Sequence, residues 1–213
     1  MLVTDADVRD GYFTPDSRHD SVVKATKLLT VAVMALAIVG CSSSKSASTT
    51  TTTAPIVGPT VPAPGSIAGV QTYTGLSRTH TTAPQNYPQS PPVGGDHNPV
   101  WQNCGVYNQP VANEHAVHSL EHGAVWLAYD PSLPADQVAI LAAFAVNQTH
   151  ILVSPYPGLA KGEAVVATAW GLQLRLASVT DPRLAQFVEK YQEGPQTPEL
   201  GVTCSGGFGN PIS

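Results

Sequence analysis

The chain has 213 residues, 42% of them hydrophobic, with 10 Lys+Arg against 15 Asp+Glu and a formal net charge of −5. That length suits a single domain with one core. The mildly acidic balance offers no basic footprint for nucleic acid, so no nucleic-acid partner is expected.

The first 40 residues read as a targeting segment rather than as fold. Lys24 and Lys27 form a positive n-region, and Leu28 to Val39 is an apolar run broken only by Thr30. The run is shorter than the roughly 20 residues of a comfortable membrane span. Ile38-Val39-Gly40-Cys41 resembles the cleavage site of bacterial lipoproteins, with Cys41 the lipidated residue. Residues 1–21 form a polar preface that signal peptides rarely carry, which points to a start near Val22 or Val23. The expected location is the extracytoplasmic face of the cell membrane, and the expected membrane contact is the lipid anchor. Beyond Cys41 there are six basic and ten acidic residues, a formal charge of −4, and no methionine.

Residues 41–69 read as a tether carrying the anchor. Ser42 to Ser44, Thr49 to Thr53, Pro55, Pro59, Pro62 and Pro64 dominate it. Such composition buries too little apolar surface to offset the entropy of folding. A flexible coil of this length spans roughly 30 Å.

Residues 70–205 are expected to form the globular domain, with 206–213 as a tail. The first third should be irregular, because Pro84, Pro88, Pro91, Pro92, Pro99 and Pro110 disfavour helices and central strands. Long loops inside small domains tend to be functional. This one carries His80, Tyr87 and the run Pro91-Pro92-Val93-Gly94-Gly95-Asp96-His97. The paired glycines permit positive φ, so the loop can present His97 to the rest of the fold.

A short helix should follow from Asn113, with Asn113 as N-cap, Glu114 in the first turn and Gly123 just past the end. At about 100° per residue, His115, His118 and His122 fall within roughly 60° of one another, with Glu121 at the border. Ala124 to Tyr129 is apolar without alternation and predicts an inner strand. Pro134 at N1 opens a helix carrying Val138, Leu141, Ala142 and Ala145. Ile151 to Val153 is a short strand ending in the turn Ser154-Pro155-Tyr156-Pro157-Gly158. Ala164 to Trp170 is another, which Gly171 kinks into Leu172 to Leu176. Asp181-Pro182 starts a last helix, with Leu184, Phe187, Val188 and Tyr191 on one face, and Gly194-Pro195 ends it. The order predicts an α+β fold: a small mixed sheet, two helices on one face, and a long proline-rich irregular N-terminal segment.

Cys104 and Cys204 are the two cysteines left after Cys41. In an extracytoplasmic chain they are most simply one disulfide. Closing a loop of about 100 residues stabilises by roughly 4–5 kcal/mol in the chain-entropy model.

The chemistry concentrates in the histidines. His118-Ser119-Leu120-Glu121-His122 matches the His-x-x-Glu-His pattern of one class of zinc peptidases. There the motif lies within a long helix, whereas here Gly123 and a strand follow at once. A non-catalytic metal site fits better. His118 and His122 at i, i+4 form a pair, His97 and His80 complete the shell, and Glu121 ligates or orients an imidazole. With no methionine after Cys41 and the cysteines paired, soft ligands are missing. Imidazole-rich sites suit Zn(II), Cu(II), Ni(II) or Fe(II), and a transition metal, zinc or copper first, is the expected cofactor. His97 and His122 should approach each other. His150 reads as a satisfied surface histidine, and Trp101, Trp126, Trp170, Tyr107 and Tyr129 as core or rim aromatics.

The chain resembles the bacterial domain-of-unknown-function family 3105. The resemblance rests on His80, Tyr87, PPVGGDH ending at His97, CGVY at 104–107 and VHSLEHG at 117–123. SPYP at 154–157 and AW at 169–170 add to it. It implies no activity, and His115 lies outside its pattern. The residues themselves point to a lipid-anchored domain with a histidine metal site. An interaction module with structural histidines and a metal-dependent hydrolase stand as alternatives.

Overall fold

The computed structural model describes residues 65–213. The apolar run Leu28–Val39, Cys41 and nearly all of the tether lie outside the described residues. Among those described, no helix is long and apolar enough to cross a membrane.

Among the described residues, six strands build one mixed sheet. They are β1 (Gln71–Thr72), β2 (Gly105–Val106), β3 (Val125–Tyr129), β4 (Ile151–Pro155), β5 (Val165–Ala169) and β6 (Leu172–Leu176). Their order across the sheet is β1-β6-β5-β3-β4-β2. β3 pairs parallel with β4, and β4 parallel with β2; the other pairs are antiparallel. The helices are α1 (Asn113–Glu121), α2 (Ala135–Ala143) and α3 (Pro182–Tyr191). The fold is therefore the α+β arrangement expected.

β3 is an inner strand, buried at all five positions, as its unalternating apolar run requires. Its odd residues Val125, Leu127 and Tyr129 face a core shared with Leu141 of α2 and Leu184, Phe187 and Val188 of α3. Both of these helices thus cover one face. Burying side chains of this size contributes roughly 1.5–3 kcal/mol each. Truncating Phe187, which is fully buried, to alanine should cost about 3–5 kcal/mol.

The opposite face carries Trp126, Ala128 and Leu152 and packs on Ala116, Val117 and Leu120 of α1. The proline-rich segment covers much of the rest. Gln173 of β6 is fully buried, and its side-chain amide donates to the Pro91 carbonyl at 2.9 Å. The segment is irregular yet sealed: Pro91, Pro92, Val93 and Gly94 are all buried.

Three local expectations shift. Gly171 does not kink one strand into the next. With Trp170 it makes a tight turn that reverses the chain, so Ala169 pairs with Leu172. Its φ of +70° suits glycine, and a Cβ there would meet the Tyr73 carbonyl at 2.9 Å. Asn113 is the first helical residue of α1 rather than its cap; Ala112 takes the cap position without a side-chain hydrogen bond. Pro134 likewise caps α2 instead of occupying N1. Asp181 does cap α3, accepting from the Arg183 backbone N–H at 2.9 Å, with Pro182 next.

A candidate metal centre of histidines and glutamates

Backbone pairing brings the first two histidines together. His80 and His97 form an isolated parallel bridge, with the Thr81 N–H donating to the His97 carbonyl at 2.7 Å and the His97 N–H to Thr79 at 3.0 Å. Gly94 and Gly95, at φ +146° and +115°, turn the chain so that His97 enters the interior. α1 supplies the remainder. His118 and Glu121 are one turn apart and both buried, and His122 is the residue that caps the helix end.

The rings of His80, His97 and His118 form a near-equilateral triangle, with centroid separations of 4.8, 4.7 and 4.8 Å. The Glu121 carboxylate lies against it. Its Oε2 is 2.9 Å from His97 Nε2 and 3.6 Å from His80 Nε2. His97 and Glu121 are sealed from solvent, whereas the His80 side chain is 43% exposed. Ligand atoms of these four residues all lie within 4.8 Å of one another. Bonds of 2.0–2.1 Å in a tetrahedron need ligand atoms about 3.4 Å apart, so a modest contraction suffices.

Three of the imidazoles are fixed in one orientation by main-chain oxygens. His97 Nδ1 donates to Gly95, His118 Nδ1 to Asn98 and His122 Nδ1 to Thr203, each at 2.7 Å. A carbonyl only accepts, so Nδ1 carries the proton, and in the neutral ring Nε2 presents a lone pair. This is the arrangement that orients metal-binding histidines. Neither His97 Nε2 nor Glu121 Oε2 makes a hydrogen bond, although both are buried. Unpaired buried acceptors are costly and call for a proton or a cation between them.

Burial holds the His118 imidazole down at about 4. The bond to Asn98 opposes this shift, and the neighbouring His122, His97 and His80 reinforce it. His122 is pushed down as well, again by burial first.

His122 and His97 do not share a ligand group. His118 stands between, its ring 4.6 Å from that of His122 and perpendicular to it. His122 instead joins His118 and Glu199, with Nε2 3.5 Å from Glu199 Oε2. The helical spacing places His118 and His122 on neighbouring turns. Their ring directions follow the carbonyls they bond, and these lie in different segments. The His-x-x-Glu-His motif is therefore divided, since Glu121 groups with His118 but not with His122. His115 is outside both groups. It bonds the Val100 carbonyl and stacks on Phe208 at 4.6 Å.

Glu199 had no signal in the sequence beyond its nearness to Cys204. The Cys104–Cys204 disulfide, with Cα atoms 5.4 Å apart, folds this tail back onto the helix. The Glu199 N–H donates to the Glu121 carbonyl at 3.0 Å, and the Glu193 N–H to Gly123 at 2.8 Å. Gly123 sits at φ +102°, and a Cβ there would come within 3.1 Å of Glu193 and Thr197. His150 is buried rather than on the surface. It is satisfied all the same, with Nε2 on the Val202 carbonyl at 2.9 Å and Nδ1 on Thr149 at 2.8 Å.

Compared with known families, the one described as a protein of unknown function, DUF3105, matches residues 79–206. The chain belongs to the DUF3105 family. No curated protein and no solved structure matches it. The DUF3105 segment begins one residue before His80 and ends two after Cys204. It contains every member of both ligand groups and both cysteines of the disulfide. The groups of this DUF3105 domain have the composition and spacing to hold a metal ion.

Proposed function

We propose that this DUF3105 domain is a lipid-anchored, extracytoplasmic metal-binding module that holds a transition ion between His80, His97, His118 and Glu121. One observation carries the reading. The buried imidazoles spend Nδ1 on backbone carbonyls and turn Nε2 inward, and His97 Nε2 meets Glu121 Oε2 at 2.9 Å without a hydrogen bond. Elsewhere in the same protein, His150 shows what a structural histidine looks like, with both ring nitrogens paired.

The donor set of three imidazoles and one carboxylate suits Zn(II) or Cu(II). Four protein ligands would fill a tetrahedral shell. That favours holding or carrying the ion over catalysis, which needs an open position. The half-exposed His80 gives the ion a way in. The anchor belongs to the proposal through Lys24, Lys27, the run Leu28–Val39 and Cys41.

Metal analysis of protein purified without a histidine tag, followed by calorimetric titration with zinc and copper at pH 7.5, tests the reading. One equivalent should bind, and His118→Ala should remove most of the affinity. Equal heats for wild type and His118→Ala would overturn it.

A further inference from the structure

The two ligand groups intersect in a single residue, and that residue has one nitrogen to give. His118 belongs to both. Its Nδ1 is committed to the Asn98 carbonyl at 2.7 Å, which leaves Nε2 alone as a ligand atom. An imidazole nitrogen has one lone pair and binds one ion.

The second group is a built site in its own right. His122 is 1% exposed, and the Thr203 carbonyl fixes its tautomer with Nε2 towards Glu199 Oε2, 3.5 Å away. Trp101 walls this side, its ring 4.9 Å from His122 and 5.7 Å from His118. The Glu199 side chain is 39% exposed. The segment carrying it is held in place by its hydrogen bond to the Glu121 carbonyl.

The groups differ in one decisive respect. The first has four protein ligands and closes a tetrahedron. The second has three, which leaves a coordination position for an outside donor. An ion 2.0–2.1 Å from His118 Nε2 in either place moves no more than about 4 Å between them. Such a step needs only exchange of ligands around a fixed imidazole.

We propose that His118, His122 and Glu199 form a second, open metal position, in which an arriving ion keeps one ligand from its donor before passing to the closed position around His118. This rests on the metal reading above and adds an entry step to it. The ion is a divalent transition metal, and the outside ligand is a single small donor such as water, an imidazole or a carboxylate. Occupancy of the two positions is mutually exclusive because His118 serves one at a time.

Cobalt(II) is the probe, since its absorption reports the coordination number and the donor set of its site. The full chain is titrated as wild type, as Glu199→Gln with His122→Ala, and as Glu121→Gln with His80→Ala. Glu199 and His80 are half-exposed, and glutamine matches glutamate in shape, so folding is checked by circular dichroism against a Glu199→Gln single variant. Wild type should bind one equivalent. The variant lacking Glu121 and His80 should still bind one equivalent, about tenfold or more weaker, and should lose it when Glu199→Gln is added. The variant lacking Glu199 and His122 should keep a four-coordinate spectrum but load from a cobalt chelate about tenfold more slowly in stopped flow. Two equivalents on the wild type would overturn the shared ligand. So would an unchanged loading rate, or residual binding indifferent to Glu199→Gln. If wild type binds and the variant lacking Glu121 and His80 binds none, the second position alone fails. If wild type binds none, the metal reading fails with it.

Discussion

His97 Nε2 and Glu121 Oε2 stand 2.9 Å apart in the sealed interior with no hydrogen bond between them. Two acceptors so placed repel unless something positive lies between. Without a proton or a cation between them the pair is a strained arrangement, and around either it becomes a favourable one.

Glu121→Gln should therefore move stability and affinity in opposite directions. The amide N–H can donate to His97 Nε2, so the metal-free protein should be as stable as wild type or more stable by about 1 kcal/mol. Zinc affinity should fall about 10–100-fold with the carboxylate gone. Thermal unfolding with chelator and with excess zinc reads both. A metal-free variant clearly less stable than wild type would mean that the contact is a stabilising ion pair.

Acid should destabilise the metal-free protein well before its carboxylates titrate. His118 is held at about 4 against 6.5 when unfolded. Between those values the unfolded chain binds more protons than the folded one, so stability falls as pH drops from about 6.5 to about 4 and levels off below. The loss from His118 is on the order of 3 kcal/mol. His122, lowered in the same direction, adds to it. Urea unfolding in chelator at pH 7.5 and pH 5 measures this, and identical free energies at the two values would contradict it.

Removing the disulfide should do more than lower stability. Cys104→Ser with Cys204→Ser should cost roughly 4–5 kcal/mol by freeing a loop of about 100 residues in the unfolded chain. It should also loosen the Thr203 carbonyl that holds His122 and the segment bearing Glu199. Nitrogen-bound proton signals of His122 should broaden, while those of His97, held from Gly95, should persist. Loss of both together would show that the whole site leans on the tail.

The anchor has its own test. Cys41→Ala should abolish lipid attachment and leave the precursor uncut or released from the membrane. Mass spectrometry of the wild type that finds Cys41 unmodified within an intact precursor would remove the lipoprotein reading.

The periodic parts of the sequence carried most of the fold. The strand at Val125–Tyr129, the helix opened by Asp181-Pro182 and the alternation in Leu172–Leu176 all follow from side-chain pattern. The two-residue strands β1 and β2 do not, because such edges are defined by main-chain pairing rather than by side chains. The burial of Gln173 was not legible for a related reason: nothing in its strand says that a proline-rich segment will lie on top of it. His80, His97, His118 and Glu121 were legible as chemistry-bearing residues near glycines, prolines and a helix. The division of the site was not. It depends on the carbonyls of Gly95, Asn98 and Thr203, which any residue type can supply. Glu199, an isolated acid in a loop, became meaningful only once the disulfide brought the tail home.

The bond between Cys104 and Cys204 turns the residues between them into a covalent ring. His118, Glu121, His122 and Glu199 all ride on that ring, whereas His80 and His97 sit on the linear arm before it. Thr82, Ala83 and Pro84, on the arm between those two histidines, are exposed. A protease that nicks the arm there leaves His118, His122 and Glu199 together on one covalent piece and separates His80 from His97, His118 and Glu121. A single cut can thus part His80 from the other three residues without opening the ring.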